Sequence, residues 1–344
     1  MTAVEAVPAG TAAIPEEDWA RALAAVGGAQ RLLLVCHLNP DGDALGSMLG
    51  CALGLRKLGH VVQAAFPGPQ QLPKEFTETL PGIDLLVPPE RTHPDPDVLI
   101  TFDAASPERV GEFVDRMATA EHVVVLDHHA SNPGFGTVNL IDPSAAATSM
   151  VVDGLLRRLG VTLDRWIATC LYVALATDTG SFKYQATTPD VHAFAARLLS
   201  AGVNQYDVSR RLFDARPYGA LRVFAEALGR LELEPDGAGG HGFAWTSATL
   251  ADLERHQQPA HVLESLIDLV RSAEEADVAC VAKQVAPREW AVSLRSRGAV
   301  DVAAAAIALG GGGHRYAAGF TGHGELAEVV DGIRAALAGD LSSH

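Results

Sequence analysis

Four short clusters carry the residue types of a metal site. The first is His37-Leu-Asn-Pro-Asp41-Gly-Asp43, one imidazole and two carboxylates leaving a turn that Pro40 and Gly42 can hold in shape. It follows the apolar run RLLLVC and precedes a helical pattern. That is the carboxyl end of a strand, where open α/β sheets bind ligands. Taken alone, Asp43 reads equally as a helix cap. The second is Asp103, at the end of VLITF, which by itself reads first as a cap or a strand-end turn residue. The third is Asp127-His128-His129, directly after VVVL. Neighbouring side chains point differently, so one imidazole can ligate while the other faces substrate. The fourth is Asp178 in ALATDTGSF, a carboxylate at the end of an apolar helix. A helix C-terminus disfavours negative charge, and a metal would relieve that cost.

Together His37, Asp41, Asp43, Asp103, His128 and Asp178 supply two histidines and four carboxylates. Mixed imidazole and carboxylate ligation suits Mn²⁺, with Mg²⁺, Co²⁺ or Zn²⁺ as competitors. Two such ions, about 3.5–4 Å apart, can clamp the attacking and leaving oxygens of a displacement at phosphorus. The chemistry predicted is two-metal hydrolysis of a phosphoester.

The elements that must position these clusters follow a βα rhythm. Strands are expected at 31–36, 61–66, 98–102 and 122–126, and helices at 16–26, 44–58 and from Pro107 to about 117. The strand at 31–36 lacks polar alternation, which suits burial on both faces. Strands alternating with helices predict a parallel sheet. From 145 to 230 the pattern is helix after helix, with a loop at 183–188. A turn or loop at 232–242 then leads to strands at 242–246, 278–285 and 290–295, interleaved with helices at 262–273 and 302–309. The expected class is α/β, with a loose leader (1–15), an N-terminal parallel-sheet domain (16–188), a helical connector (189–230) and a smaller C-terminal α/β domain (231–344).

A chain of 344 residues accommodates two domains. Its 48% of hydrophobic residues supports a sizeable core and excludes disorder. A formal charge of −16, from 26 basic and 42 acidic residues, argues against coating long nucleic acid. Local pockets or metals can still bind phosphates. Cys36, Cys51, Cys170 and Cys280 lie in apolar runs and form no CxxC pair, so they read as buried thiols in a reducing compartment. No run approaches a membrane span, and residues 1–17 lack a basic start and a signal-like core. The cytoplasm is the expected location and no membrane partner is expected. Asp142 reads as a turn residue and Asp153 as a helix-surface charge. His60, His93, His122, His192, His241, His256, His261, His323 and His344 lack companions at ligand spacing.

The C-terminal domain carries a second kind of signal. Gly310-Gly311-Gly312-Gly313 is followed by His314 and Arg315. Glycines let backbone approach an anion and expose N–H groups, and a helix start there would add its dipole. A flexible linker is the bland alternative. His314 is the expected phosphate contact. In WAVSLRSR, strand alternation would put Arg295 and Arg297 on one face, suited to phosphate or to a solvated edge. Ser265 and Arg271 are weaker candidates that flank a core stripe.

HLNPDGDALGS, TFDAAS, LDHHASN and ATDTGSF resemble the four motifs of the DHH phosphoesterase superfamily, and GGGGHRYAAG resembles the signature of its DHHA1 domain. Both sets in this order look most like the nanoRNase/pAp phosphatase group, over roughly residues 30–340. The resemblance implies that His37 and Asp41 hold one metal, that Asp43, His128 and Asp178 hold the other, and that Asp103 bridges them, with a shared water attacking phosphorus. His129 would contact the phosphoryl group and steady the leaving oxygen, and Asp127 would orient a neighbouring histidine. Arg295 and Ser296 would touch substrate, with Gly311, Gly312, Gly313 and His314. Substrates would be short RNAs or linear dinucleotides such as pApA, and pAp, held as the two domains close over a cleft in a homodimer. Four rivals share parts of this pattern: a cyclic dinucleotide phosphodiesterase, a manganese inorganic pyrophosphatase, a RecJ-type exonuclease and an inactive nucleotide sensor. The glycine-rich signature argues against the pyrophosphatase. The missing basic channel argues against the exonuclease, and the intact ligands argue against the sensor.

Overall fold

The computed structural model describes residues 14–69 and 71–339, apart from the side chain of His314. Most of the expected leader therefore lies outside the described residues. The chain divides into two compact units between Ala215 and Arg216.

In the first unit, five strands form one parallel sheet: β1 (Arg31–Cys36), β2 (Val61–Ala65), β3 (Val98–Phe102), β4 (His122–Asp127) and β5 (Val138–Ile141). Their order is β2-β1-β3-β4-β5. The chain leaves β1 for β2 on one side and returns to β3 on the other, so the carboxyl ends of β1 and β3 flank a topological switch point. All five residues of β3 are buried, as an interior parallel strand requires. β5 is a short edge strand that hydrophobic patterning does not predict. The expected helix from Pro107 is broken. It is a 3₁₀ segment, Pro107–Phe113, followed by a short helix, Val114–Thr119, and Gly111 within the first piece has φ +53°.

Close helix packing sets the depth of the site. Helix Gly42–Lys57 carries Gly42, Gly46, Gly50 and Gly54 along one stripe. A Cβ at Gly46 would lie 2.4 Å from the Cys170 carbonyl oxygen, and one at Gly42 would lie 2.5 Å from Thr177. Helix Arg165–Asp178 thus packs almost backbone to backbone against this stripe. Contact of Gly42 with Thr177 puts Asp43, one residue on, beside Asp178. Asp153 is not the surface charge expected: it is buried and ion-paired with Arg197, which joins helix Thr148–Arg158 to helix Pro189–Ser200.

The second unit is a mixed six-stranded sheet: β6 (Glu232–Glu234), β7 (Phe243–Ala248), β8 (Val278–Ala286), β9 (Glu289–Ser296), β10 (Gly312–His314) and β11 (Ala317–His323), in the order β10-β11-β9-β8-β7-β6. Of these pairs, β7 and β8 run parallel and the rest antiparallel. Helices Val302–Ala308 and Leu326–Gly339 bury Val302, Val330 and Ile333 on one face. Helices Tyr218–Leu228 and Leu266–Val270 bury Phe224 and Leu266 on the other. The segment 232–242, expected as a loop, contributes edge strand β6. The expected connector is shared, with Pro189–Ser200 in the first unit and Tyr218–Leu228 in the second. Among the described residues, no helix is long and apolar enough to cross a membrane.

Candidate metal centre

The six residues at the ends of β1, β3, β4 and helix Arg165–Asp178 converge. His37, Asp41 and Asp103 offer ligand atoms within 4.8 Å of one another, and so do Asp43, His128 and Asp178. Asp103 reaches both groups: Oδ2 lies 3.5 Å from His37 Nε2, and Oδ1 lies 3.6 Å from His128 Nε2. His128 Nε2 is also 3.3 Å from Asp178 and 3.9 Å from Asp43. Asp41 Oδ1 is 3.8 Å from His37 Nε2.

Local backbone explains the aim of several of these groups. Asp41, not Asp43, caps helix Gly42–Lys57, accepting from Ala44 N at 3.0 Å. Asp43 is fully buried in the first turn. Ser47 Oγ donates to it at 2.8 Å and the Thr148 N–H at 2.6 Å, with Ser149 N–H at 3.3 Å. Asp103 has φ +56°, Asn39 has +55°, and Ser181 and Phe182, just after Asp178, have +58° and +65°. Left-handed non-glycine residues cost free energy, and such strain gathers where side chains must be held in one direction.

Hydrogen bonds fix which imidazole nitrogen faces the carboxylates. His128 Nδ1 lies 3.1 Å from the Ala145 carbonyl, which only an N–H can use, so Nε2 is the nitrogen left to ligate an ion once its proton is displaced. His37 Nδ1 lies 2.9 Å from the Leu38 carbonyl and 3.0 Å from Arg109 Nη2. One ring nitrogen satisfies one of these partners. Ligation through Nε2 requires the donation to Leu38. His129 Nδ1 donates to Asp127 at 2.7 Å, and Asp127 also accepts from the His128 and His129 N–H groups and from Asn132. Asp127 thus orients His129 rather than His128. Asp103, His128 and His129 also lie close enough to share an ion, but the His129 nitrogen that faces Asp103, at 3.5 Å, is the one committed to Asp127.

The electrostatics fit a cation. Burial, then Asp103 and Asp178, push the Asp43 carboxyl well above its ordinary range. Burial pushes Asp178 up to about 7, with His128 opposing and Asp103 adding. Burial disfavours charged imidazoles, yet Asp103 and Asp41 raise His37 to about 10, and Asp178, Asp103 and Asp43 raise His128 to about 10. Protons are drawn to a site crowded with carboxylates, and divalent ions would take their place. Burial also opposes charge on His129, but Asp127 outweighs it and raises that imidazole.

Sequence reading missed the segment 142–149 and Arg109. In that segment Ala145, Thr148 and Ser149 contact His128, Asp103 and Asp43, but mostly through backbone, which residue type does not advertise. Asp142 is more than a turn residue. It is fully buried and holds Ser144 through both N–H and Oγ.

The remaining candidates lie in the second unit. Arg295 is half-buried on β9, where its Nη1 donates to the Leu294 carbonyl at 3.0 Å. Arg297 lies beyond β9 and does not share a strand face with Arg295. Its guanidinium donates to the Ala273 and Glu274 carbonyls. Ser296 is buried. Its hydroxyl donates to Asp277 at 2.9 Å and accepts from Gly298 N–H at 2.9 Å, so a ligand contact would break this corner. Ser265 accepts from Arg216 Nε at 3.2 Å, and Arg271 closes helix Leu266–Val270. The glycine run does not start a helix. Gly310 and Gly311 N–H groups cap helix Val302–Ala308, bonding Ile307 and Ala306 carbonyls, and Gly312–His314 form β10. The His314 side chain lies outside the described residues.

Residues 31–175 match the DHH family, N-terminal domain, and residues 248–340 match the DHHA1 domain. A bifunctional oligoribonuclease and PAP phosphatase NrnA of Thermus thermophilus is 32% identical over 90% of this chain and 90% of its own length. A probable protein of the same name in Streptococcus mutans is 25% identical, over 86% and 90%. The crystal structure of an exopolyphosphatase-related protein from Bacteroides fragilis superposes with a TM-score of 0.85 at 23% identity, over 94% of this chain and 96% of that one, and so shares the fold. The chain belongs to the DHH family, with a DHHA1 domain following, and is a metal-dependent phosphoesterase.

Proposed function

We propose that this enzyme hydrolyses short oligoribonucleotides and linear dinucleotides such as pApA, and removes a phosphate from pAp. The observation that carries the reading is Asp103, whose two oxygens address His37 and His128, one in each ligand group. That arrangement suits two ions, with His37 and Asp41 on one, Asp43, His128 and Asp178 on the other, and Asp103 shared. Mn²⁺ is the preferred ion for this donor set, with Mg²⁺ or Co²⁺ as substitutes. Bound ions would supply positive charge at the phosphate and lower the pKa of an attacking water. The names of the relatives support the substrate class.

The chain's own residues do the rest. Asp127 holds the His129 ring by Nδ1, so Nε2 is the nitrogen that would contact the phosphoryl group. The raised pKa of His129 keeps a proton there for the leaving oxygen. Arg295, the Gly312 backbone and His314 would recognise the nucleotide. A hydrolysis panel of pAp, pApA, longer RNA, cyclic di-AMP and pyrophosphate, with Mn²⁺ and with Mg²⁺, tests the proposal. Fast pAp and pApA turnover is expected. Preferential hydrolysis of pyrophosphate or of cyclic di-AMP would overturn it.

A further inference from the structure

Helix Thr148–Arg158 begins without a side-chain cap of its own. Its first N–H groups are orphans that need acceptors. They find one from another helix: Thr148 N–H donates to Asp43 Oδ2 at 2.6 Å and Ser149 N–H to Asp43 Oδ1 at 3.3 Å. The same Thr148 donates its hydroxyl to Asp103 Oδ1 at 3.1 Å. Thr148 and Asp43 are fully buried and Asp103 nearly so, which leaves water little access to replace these bonds.

Thr148 therefore touches one carboxylate from each ligand group. Asp43 belongs with His128 and Asp178, and Asp103 with His37 and Asp41. Ser47 differs, since its hydroxyl serves Asp43. From this geometry we infer that Thr148 is a positioning residue that couples the two halves of the metal centre, its hydroxyl setting the rotation of the shared carboxylate while its N–H anchors the other. The hydroxyl fixes Asp103 with one oxygen toward each half. Without it, Asp103 is free to rotate and holds neither oxygen steadily toward its half of the centre. This inference rests on the two-ion reading of the site.

The test reads Mn²⁺ binding to the full chain, by paramagnetic resonance of free Mn²⁺, independently of turnover. Thr148→Val keeps the β-branched shape and the backbone N–H and removes the hydroxyl. It should weaken both Mn²⁺ positions together by about 10- to 100-fold, the usual effect of losing a bond to a metal ligand. Thr148→Ser, which restores the hydroxyl, should bind within about threefold of the parent. Ser47→Ala should weaken one position. Thr148→Ala repeats the measurement if the valine variant fails to fold by circular dichroism. Unchanged binding in the hydroxyl-free variant, loss at one position alone, or a serine variant as impaired as valine would overturn the inference. A parent chain that binds fewer than two Mn²⁺ would instead overturn the two-ion reading itself.

Discussion

Asp103 Oδ2 stands 3.5 Å from His37 Nε2, while the Asp103 backbone sits at φ +56°. The strained backbone and the carboxylate that faces both His37 and His128 are one device, because the left-handed turn after β3 brings the side chain between the two imidazoles. Asparagine tolerates that conformation better than most residues, so Asp103→Asn should keep the fold and lose the charge. It should lower pApA turnover by at least about 1,000-fold, roughly 4 kcal/mol of barrier. Steady-state kinetics with Mn²⁺, beside an unchanged circular dichroism spectrum, checks this. Activity within tenfold of the parent would remove Asp103 from the centre.

The protonation of the centre predicts how stability responds to pH. Asp178, raised from 3.8 to about 7, adds stability that is full below about 4 and fades as pH rises through 7. His37 and His128, raised from 6.5 to about 10, add stability that is full below 6.5 and is lost as pH climbs through about 10. All three act in the same direction. In chelator, Tm should therefore fall between pH 5 and pH 9. Mn²⁺ replaces these protons, so its increment in Tm should be larger at pH 8 than at pH 6. Thermal melts in chelator and in Mn²⁺ at both pH values decide it. A Tm in chelator that rises across this range, or equal increments, would contradict the assignment.

The candidate ligands His37, Asp103 and His128 were legible because each follows directly on a largely apolar strand, and β1, β3 and β4 are apolar because a parallel sheet buries both faces. β5 was not legible. Its burial alternates over four residues at a sheet edge, too short a pattern to stand out. The segment 142–149 was hidden for another reason. Its contributions to the site are a carbonyl, two N–H groups and one hydroxyl, in a run dominated by alanine and serine. By composition the glycine run suggests an anion loop with a helix start. Side chains too small to show a strand period concealed that it caps one helix and then forms an edge strand.

Arg295 and Arg297, two residues apart in sequence, should separate cleanly by experiment. Arg297 closes the end of β9 by donating to two carbonyls, so Arg297→Ala should lower stability by about 1–2 kcal/mol with KM unchanged. Arg295 keeps one guanidinium bond to its neighbouring carbonyl, leaving further donors on its fork for a phosphate. Arg295→Ala should raise KM for pApA about tenfold, close to 1.4 kcal/mol, with Tm changed little. The opposite pattern in paired kinetics and melts would reassign the recognition role to Arg297.

The glycine run can be divided into packing and ligand roles one residue at a time. A Cβ at Gly311 would lie 2.1 Å from the Gly319 carbonyl oxygen, and one at Gly313, where φ is +139°, would lie 2.5 Å from Ala318 Cα. Gly311→Ala and Gly313→Ala should therefore each destabilise the second unit, by about 1–3 kcal/mol or more. At Gly312 a Cβ meets nothing within 4 Å, and its backbone is not left-handed. Gly312→Ala should leave Tm unchanged or raise it slightly, since alanine restricts the unfolded chain. Its activity then isolates the one role left for a bare backbone at that position, the close approach of a phosphate. If Gly312 serves that approach, the variant loses at least about tenfold in kcat/KM on pApA and spares a small activated phosphodiester. Full activity on both substrates would mean that the run is glycine for packing alone, and that Arg295 and His314 carry recognition without it.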